Sequence, residues 1–307
     1  MSGLAFRTED RARARVEGTS AHDRGQGSPV AHERTARLGA KRTLHAVTAG
    51  DGRDIVLIHG ALATHQDWLD GPFMALAKIG RVTAIDRPGH GFSERARFAG
   101  DPRSHARQMR DGFEALGIER PVLVAHSFGC LSALAFAEQF PDQVAGLVLV
   151  APLAFPEVRP LEHAVFAPRA VPILGPIGTP LFVTTSDPAL LRVHHRVMFW
   201  PDAPPDQWQR NYPWELILNV SASVANGEDF AAVHPWNLES YVDLKSVTTT
   251  VEVLSGTADL VIEDLHHALG LAERLPHVRV ERHVGVGHML HHSRPEAVVG
   301  AVCRILN

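Results

Sequence analysis

Val122-Leu-Val-Ala-His-Ser127-Phe-Gly129, running straight into Cys130-Leu-Ser-Ala-Leu-Ala-Phe-Ala137, decides how the rest of the chain is read. A short apolar run becomes a helical run, with one serine at the joint. A strand can turn into a helix so abruptly only if the residues two before and two after the serine are small. Ala125 and Gly129 meet that requirement, and Ser132, Ala133 and Ala137 let the helix approach the sheet closely. A serine at such a joint projects its hydroxyl above the sheet, where it can act as a nucleophile.

Outward from this joint, short apolar runs bounded by turn residues recur along the chain. Asp54–Ile58, Arg81–Ile85, Pro121–Ala125, Val144–Val150, Val251–Leu254 and Val278–Val284 are predicted strands. Trp68–Ile79, Ser104–Leu116, Phe128–Phe140, Asp264–Arg274 and Pro295–Ile305 are predicted helices between them. Continuous apolar strands alternating with helices specify an α/β class, with a mostly parallel central sheet and helices on both faces. One interval breaks the rhythm. From Pro152 to about Lys245 there are only proline-punctuated helical pieces, which hold Trp200, Trp208, Trp214, Trp236, Tyr212 and Tyr241. A structureless loop of that length does not belong in a compact domain. Residues 153–245 are therefore predicted to form a helical cap, inserted before the strand that leads to Asp259, on a core of residues 41–152 and 246–307. The proline-rich stretch 171–178 reads as a hinge of that cap. Residues 1–40, rich in charge and poor in large apolar groups, are predicted to be a mobile tail.

Four further motifs sit at strand ends. His59-Gly60-Ala61 closes the strand beginning at Asp54, and Asp86-Arg-Pro-Gly-His90-Gly-Phe-Ser93 makes a compact turn after the next. Leu254-Ser-Gly-Thr-Ala-Asp259 is a strand end, a glycine turn and an aspartate, and Gly285-Val-Gly-His288-Met follows the last strand. With Ala125-His-Ser-Phe-Gly129 in place of the usual G-x-S-x-G, these motifs resemble the α/β-hydrolase superfamily over nearly all of Arg42–Asn307. The likeness is to capped serine hydrolases of the esterase and lipase kind.

The resemblance implies Ser127 as nucleophile, His288 as general base and Asp259 as the acid that orients it, in the chain order this fold uses. It implies the backbone N–H groups of Ala61 and Phe128 as oxyanion donors. His59, Trp68, His126 and Met289 are expected at the substrate pocket, with His59 also bonding its own loop. The Asp86 turn is expected to be scaffolding. Asp264, rather than Asp259, is expected to cap the following helix, and His291 and His292 to be exposed or to stand behind the site. Serine instead of aspartate at position 127 disfavours dehalogenase and epoxide hydrolase chemistry. The implied function is hydrolysis of a small, largely apolar carboxylic ester through an acyl-enzyme. A C–C bond hydrolase acting on ring-cleavage products, or a perhydrolase or haloperoxidase-like enzyme, would share the triad. A weakly hydrolytic binding or accessory protein would share the fold.

Composition narrows the partners. The 307 residues are 45% hydrophobic, enough for a large core, and their net charge of −4 offers no field to hold a polyanion. A small molecule is expected as partner, with neither nucleic acid nor membrane; the oligomeric state stays open. No run approaches the roughly 20 apolar residues of a membrane span, and Arg7, Arg11, Arg13 and Arg15 are not followed by the apolar run of a secretory signal. Cys130 and Cys303 are too few for a disulfide framework, so a cytoplasmic location is expected. The 19 histidines invite a metal. The pairs His194-His195, His266-His267 and His291-His292 are adjacent, however, and adjacent side chains are expected to diverge. Neither a metal nor a cofactor is expected.

Overall fold

The computed structural model describes residues 8–10, 29–155, 157–234 and 241–307. Its strands are β1 (Thr8–Asp10), β2 (His32–Gly39), β3 (Arg42–Ala49), β4 (Asp54–Ile58), β5 (Arg81–Ile85), β6 (Val122–His126), β7 (Gly146–Val150), β8 (Val251–Gly256) and β9 (Val278–His283). They form one sheet in the order β1-β2-β3-β5-β4-β6-β7-β8-β9. All pairings from β5 across to β9 are parallel, and β1, β2 and β3 join antiparallel at one side. The chain steps from β4 to β5 on one side and then to β6 on the other. That reversal opens a crevice at the carboxyl ends of β4 and β6, where open α/β sheets bind ligands.

Strands β4, β6, β7 and β8 are buried along their whole length, because helices cover both faces. Phe113 and Phe136, from helices Pro102–Leu116 and Gly129–Gln139, pack with Leu123 on one face; Trp68, Phe73 and Val302 pack with Val124 on the other. The α/β-hydrolase fold expected from the sequence is the fold observed.

Three local expectations are corrected. Strand β2 falls inside the segment predicted as tail, and residues 1–7 and 11–28 of that prediction lie outside the described residues. Its sequence is polar, with only Ala36 fully buried. What fixes it is pairing with β3 through a turn in which Gly39 and Lys41 take φ of 131° and 55°. The predicted helix 68–79 is two short ones, Gln66–Leu69 and Phe73–Leu76, separated at Gly71-Pro72. The expected hinge at 171–178 runs into the helix Leu174–Thr184.

Between β7 and β8 the described residues hold helices and no strand, among them Pro160–Phe166, Leu174–Thr184, Asp187–Phe199, Asp206–Asn211 and Val220–Ala232. Trp236 lies outside the described residues. This insertion packs Phe166, Leu191, Phe199, Trp208 and Phe230 against Leu62 and Met289 of the main body. A buried ionic seam adds to it: Asp229 of the insertion meets Arg87 at 2.9 Å, Arg95 at 2.5 Å and His90 at 2.9 Å. Among the described residues no helix is long and apolar enough to cross a membrane.

Candidate active site

Ser127 has φ of +52°, a conformation that costs an L-residue energy unless its surroundings impose it. Here they do. Its N–H donates to the Val150 carbonyl at 2.9 Å, and its own carbonyl accepts from Cys130 at 3.0 Å and Leu153 at 3.2 Å. A Cβ on Gly129 would stand 2.6 Å from the His59 carbonyl oxygen, so only glycine lets the helix start this close to β4. The joint read from the sequence is thus built into the backbone.

Ser127 and His288 line one cavity, together with His126, Ala61 and Phe128. No hydrogen bond joins the two side chains directly among the described residues, a common state before substrate binds. His288 Nδ1 lies 2.7 Å from Asp259 Oδ2. The Nδ1–H donates there, leaving Nε2 as the basic nitrogen. Asp259 Oδ1 meanwhile accepts the N–H groups of Val261 at 2.7 Å and Ile262 at 2.9 Å. The expected cap, Asp264, instead accepts from Arg282 at 2.7 Å and caps nothing. Gly285 takes φ of +73°, and a Cβ on Gly287 would run into the Trp200 carbonyl of the insertion. The two glycines of the histidine loop therefore serve a turn and a close approach. The N–H groups of Ala61 and Phe128 have no protein acceptor among the described residues, and Phe128 stands at a helix N-terminus, where the helix dipole favours negative charge.

Of the four residues expected at the pocket, only His126 lines this cavity. Its Nε2–H donates to the His288 carbonyl at 3.1 Å, and burial, then His291, holds its pKa well below the usual imidazole value. His59 is fully buried in its loop. Its Nε2 accepts from the Arg87 N–H at 2.9 Å and its Nδ1–H donates to the Gly60 carbonyl at 2.8 Å. Trp68 belongs to the core, its ring 4.6 Å from that of His291. Met289 packs beside Trp208 and Tyr212 in a neighbouring small pocket. No described tryptophan lines the cavity; its aromatic neighbours are Phe128 and Phe230. Phe166, Phe199, Trp208 and Tyr212 of the insertion instead pack it onto the body, against Leu62 and Met289. The Asp86 turn has the scaffolding geometry expected: the carboxylate accepts from His45 at 2.9 Å, His65 at 3.0 Å and the Phe92 N–H at 3.0 Å.

His291 and His292 overturn the expectation that adjacent histidines diverge. On the single turn Leu290–Ser293 both reach one buried carboxylate, Asp67, each at 2.9 Å, and Trp208 Nε1–H of the insertion joins them at 2.9 Å. His291, and then His292, outweigh burial and hold Asp67 well below the usual carboxylate range. Ligand-type atoms of Asp67, His291 and His292, and likewise of His45, His65 and Asp86, lie within 4.8 Å of one another, so the sequence argument against a metal site does not hold by itself. In both groups the imidazoles are hydrogen-bonded to the carboxylate. The sequence also missed Arg159, Glu162 and His194, which the insertion contributes to the cavity wall. No local spacing signals them, since a helix face finds the cavity only through docking.

Residues 55–301 match the model of the Alpha/beta hydrolase family. An uncharacterized protein of Mycobacterium tuberculosis is 29% identical over 296 residues, covering 87% of this chain and 80% of its own. A non-heme chloroperoxidase of Streptomyces lividans is 28% identical over 261 residues, covering 81% and 89%. The solved structure of the epoxide hydrolase CorEH superposes with a TM-score of 0.73 at 21% identity, over 91% of this chain and 98% of that one; that likeness concerns the fold alone. With its family model matched across both halves of the sheet, the chain belongs to the alpha/beta hydrolase family.

Proposed function

We propose that this protein is a serine hydrolase that cleaves a small, largely apolar carboxylic ester, or a related acyl compound, through an acyl-enzyme on Ser127. One observation carries the reading: a serine in an imposed left-handed conformation shares a narrow cavity with an imidazole whose other nitrogen is fixed by Asp259. His288 Nε2 takes the Ser127 proton as Oγ attacks the carbonyl carbon, and Asp259 steadies the imidazolium. The N–H groups of Ala61 and Phe128 receive the oxyanion; one such donor is worth about 3–4 kcal/mol of barrier. The imidazolium returns its proton to the departing alkoxide. A water deprotonated by His288 then attacks the acyl-enzyme, and the acid leaves as Ser127 recovers its proton.

The insertion acts as a cap in this scheme. The cavity retains about 30 Å³ of free volume, room for one water and less than an ester needs. The cap must therefore shift to admit substrate. Leu153, Phe230, Val261 and Ile262 give an apolar wall suited to the acyl chain.

A fluorophosphonate probe tests the reading. The wild type should label rapidly and Ser127→Ala should not. His288→Ala should lose at least about 1,000-fold in turnover of p-nitrophenyl esters while remaining folded. A folded wild type that fails to label would favour a binding protein on the same scaffold.

A further inference from the structure

Besides Asp67, His126, Ser127 and His288 of the body, the cavity wall takes polar side chains from the insertion. Arg159, Glu162 and His194 border the space that Ser127 and His288 also border. Arg159 is already engaged. Its Nη1 donates to Glu157 at 3.0 Å and to the Val261 carbonyl at 2.9 Å, and its Nη2 donates to Glu162 at 2.5 Å. One guanidinium thus serves two carboxylates. Burial disfavours the charge on Glu157, but His267 and Arg159 outweigh it and hold that carboxyl below its usual range. Asp67, ionised and hydrogen-bonded to its own donors, borders the same cavity. An incoming carboxylate would be desolvated among these anions and would find no unengaged cation among the described lining residues.

His194 stands apart from this network. Its ring is half-buried and reaches the cavity, and neither ring nitrogen has a hydrogen-bond partner among the described residues. Burial, then the nearby His288, pushes its pKa down to about 4, so at neutral pH it offers one N–H donor and one lone pair. A substrate that fills this mostly apolar space would take water away from these nitrogens, which favours a ligand that satisfies them over one that does not.

We infer that the cavity selects a neutral acyl compound carrying a second carbonyl or a hydroxyl group, recognised by a hydrogen bond to His194, and discriminates against substrates that carry a carboxylate. This deepens the serine-hydrolase reading and rests on it. It also sets the chain against dicarboxylate ring-cleavage products as preferred substrates.

The test compares p-nitrophenyl 4-oxopentanoate, pentanoate and hydrogen butanedioate, which differ only in the group at the far end of the acyl chain. For the wild type, kcat/KM should rank the oxo ester about ten-fold or more above the pentanoate and the butanedioate lowest. His194→Phe, which keeps a ring but no hydrogen bond, should bring the ratio of oxo ester to pentanoate close to one, and His194→Asn should restore part of it. Glu162→Gln should raise the butanedioate relative to the pentanoate. A ratio unchanged in His194→Phe, or a wild type that prefers the butanedioate, overturns the inference. Titration calorimetry with 4-oxopentanamide, pentanamide and succinamate reads the same contact without turnover. Should the esters resist hydrolysis while the amides keep this order of binding, the assignment of Ser127 falls and the inference about the cavity stands; equal binding of all three overturns the inference itself.

Discussion

Asp259 divides its two oxygens between the His288 ring and its own turn. Oδ2 fixes the His288 tautomer, and Oδ1 ties down the N–H groups of Val261 and Ile262. The two duties separate in mutants. Asp259→Asn retains an oxygen for the turn but presents an amide where the imidazole needs an acceptor. It should lose about 10,000-fold in kcat with little change in urea midpoint. Asp259→Ala should lose the same activity and, in addition, about 1 kcal/mol of stability from the missing cap. Equal urea midpoints for the two variants would remove the second role. The placement of Ser127, Asp259 and His288 at strand ends was legible because strand ends are dictated by local sequence: a small residue, a glycine turn, a loop. Asp67 was not legible. Its meaning comes from His291, His292 and Trp208, each far along the chain, and nothing in its neighbours Gln66 and Trp68 announces them.

At the scale of elements, the same contrast separates the parallel strands from the antiparallel ones. β4, β6, β7 and β8 are covered on both faces and so are written as largely apolar runs, broken in β8 by Glu252, which pairs with Arg304. β2 carries polar side chains that pack along a helix, Arg34 donating to the Leu116 carbonyl at 3.0 Å, and it reads as tail. Its partner β3 holds His45 between two carboxylates, Nδ1 to Asp86 at 2.9 Å and Nε2 to Glu33 at 2.8 Å. Burial works against a proton there, yet the hydrogen bonds and charges of Asp86 and then Glu33 outweigh it, and the pKa is raised above 6.5. The folded state therefore binds this proton more tightly than the unfolded chain. The resulting stabilisation is full below pH 6.5 and is lost as pH rises through the raised value. Buried histidines with lowered values, His90 and His291 at about 4, act in the opposite sense. The difference between wild type and His45→Gln isolates the His45 contribution. Urea unfolding should show the wild type's advantage shrinking from pH 6 to pH 9. An advantage that grows with pH would contradict the assignment.

Across the whole molecule, the insertion is the part whose existence the sequence revealed and whose docking it did not. An interval without strands marks it, but which helix faces reach the body depends on contacts between distant segments. The ionic seam is the clearest case. Asp229, on the helix Val220–Ala232, accepts from Arg87 and Arg95 of the body. Arg87 is fully buried, lies 4.8 Å over the Phe128 ring, and through its backbone N–H holds the His59 loop that carries Ala61. Arg95 has a second carboxylate in Glu228 at 3.1 Å. Asp229→Asn leaves Arg87 with the Gly60 carbonyl at 3.3 Å, the neutral His90 ring at 3.4 Å and an amide oxygen. Removing one member of a buried pair strands the other charge, which costs about 3–5 kcal/mol. Asp229→Asn should therefore lower the unfolding free energy by that order. Hydrogen exchange in Val220–Ala232 should rise before exchange in β6 does, because the seam joins the insertion to the body and β6 lies beneath both. Exchange that rises equally in the two segments would mean that the insertion and the sheet open as one unit. Substrate could then not enter by displacement of the insertion alone.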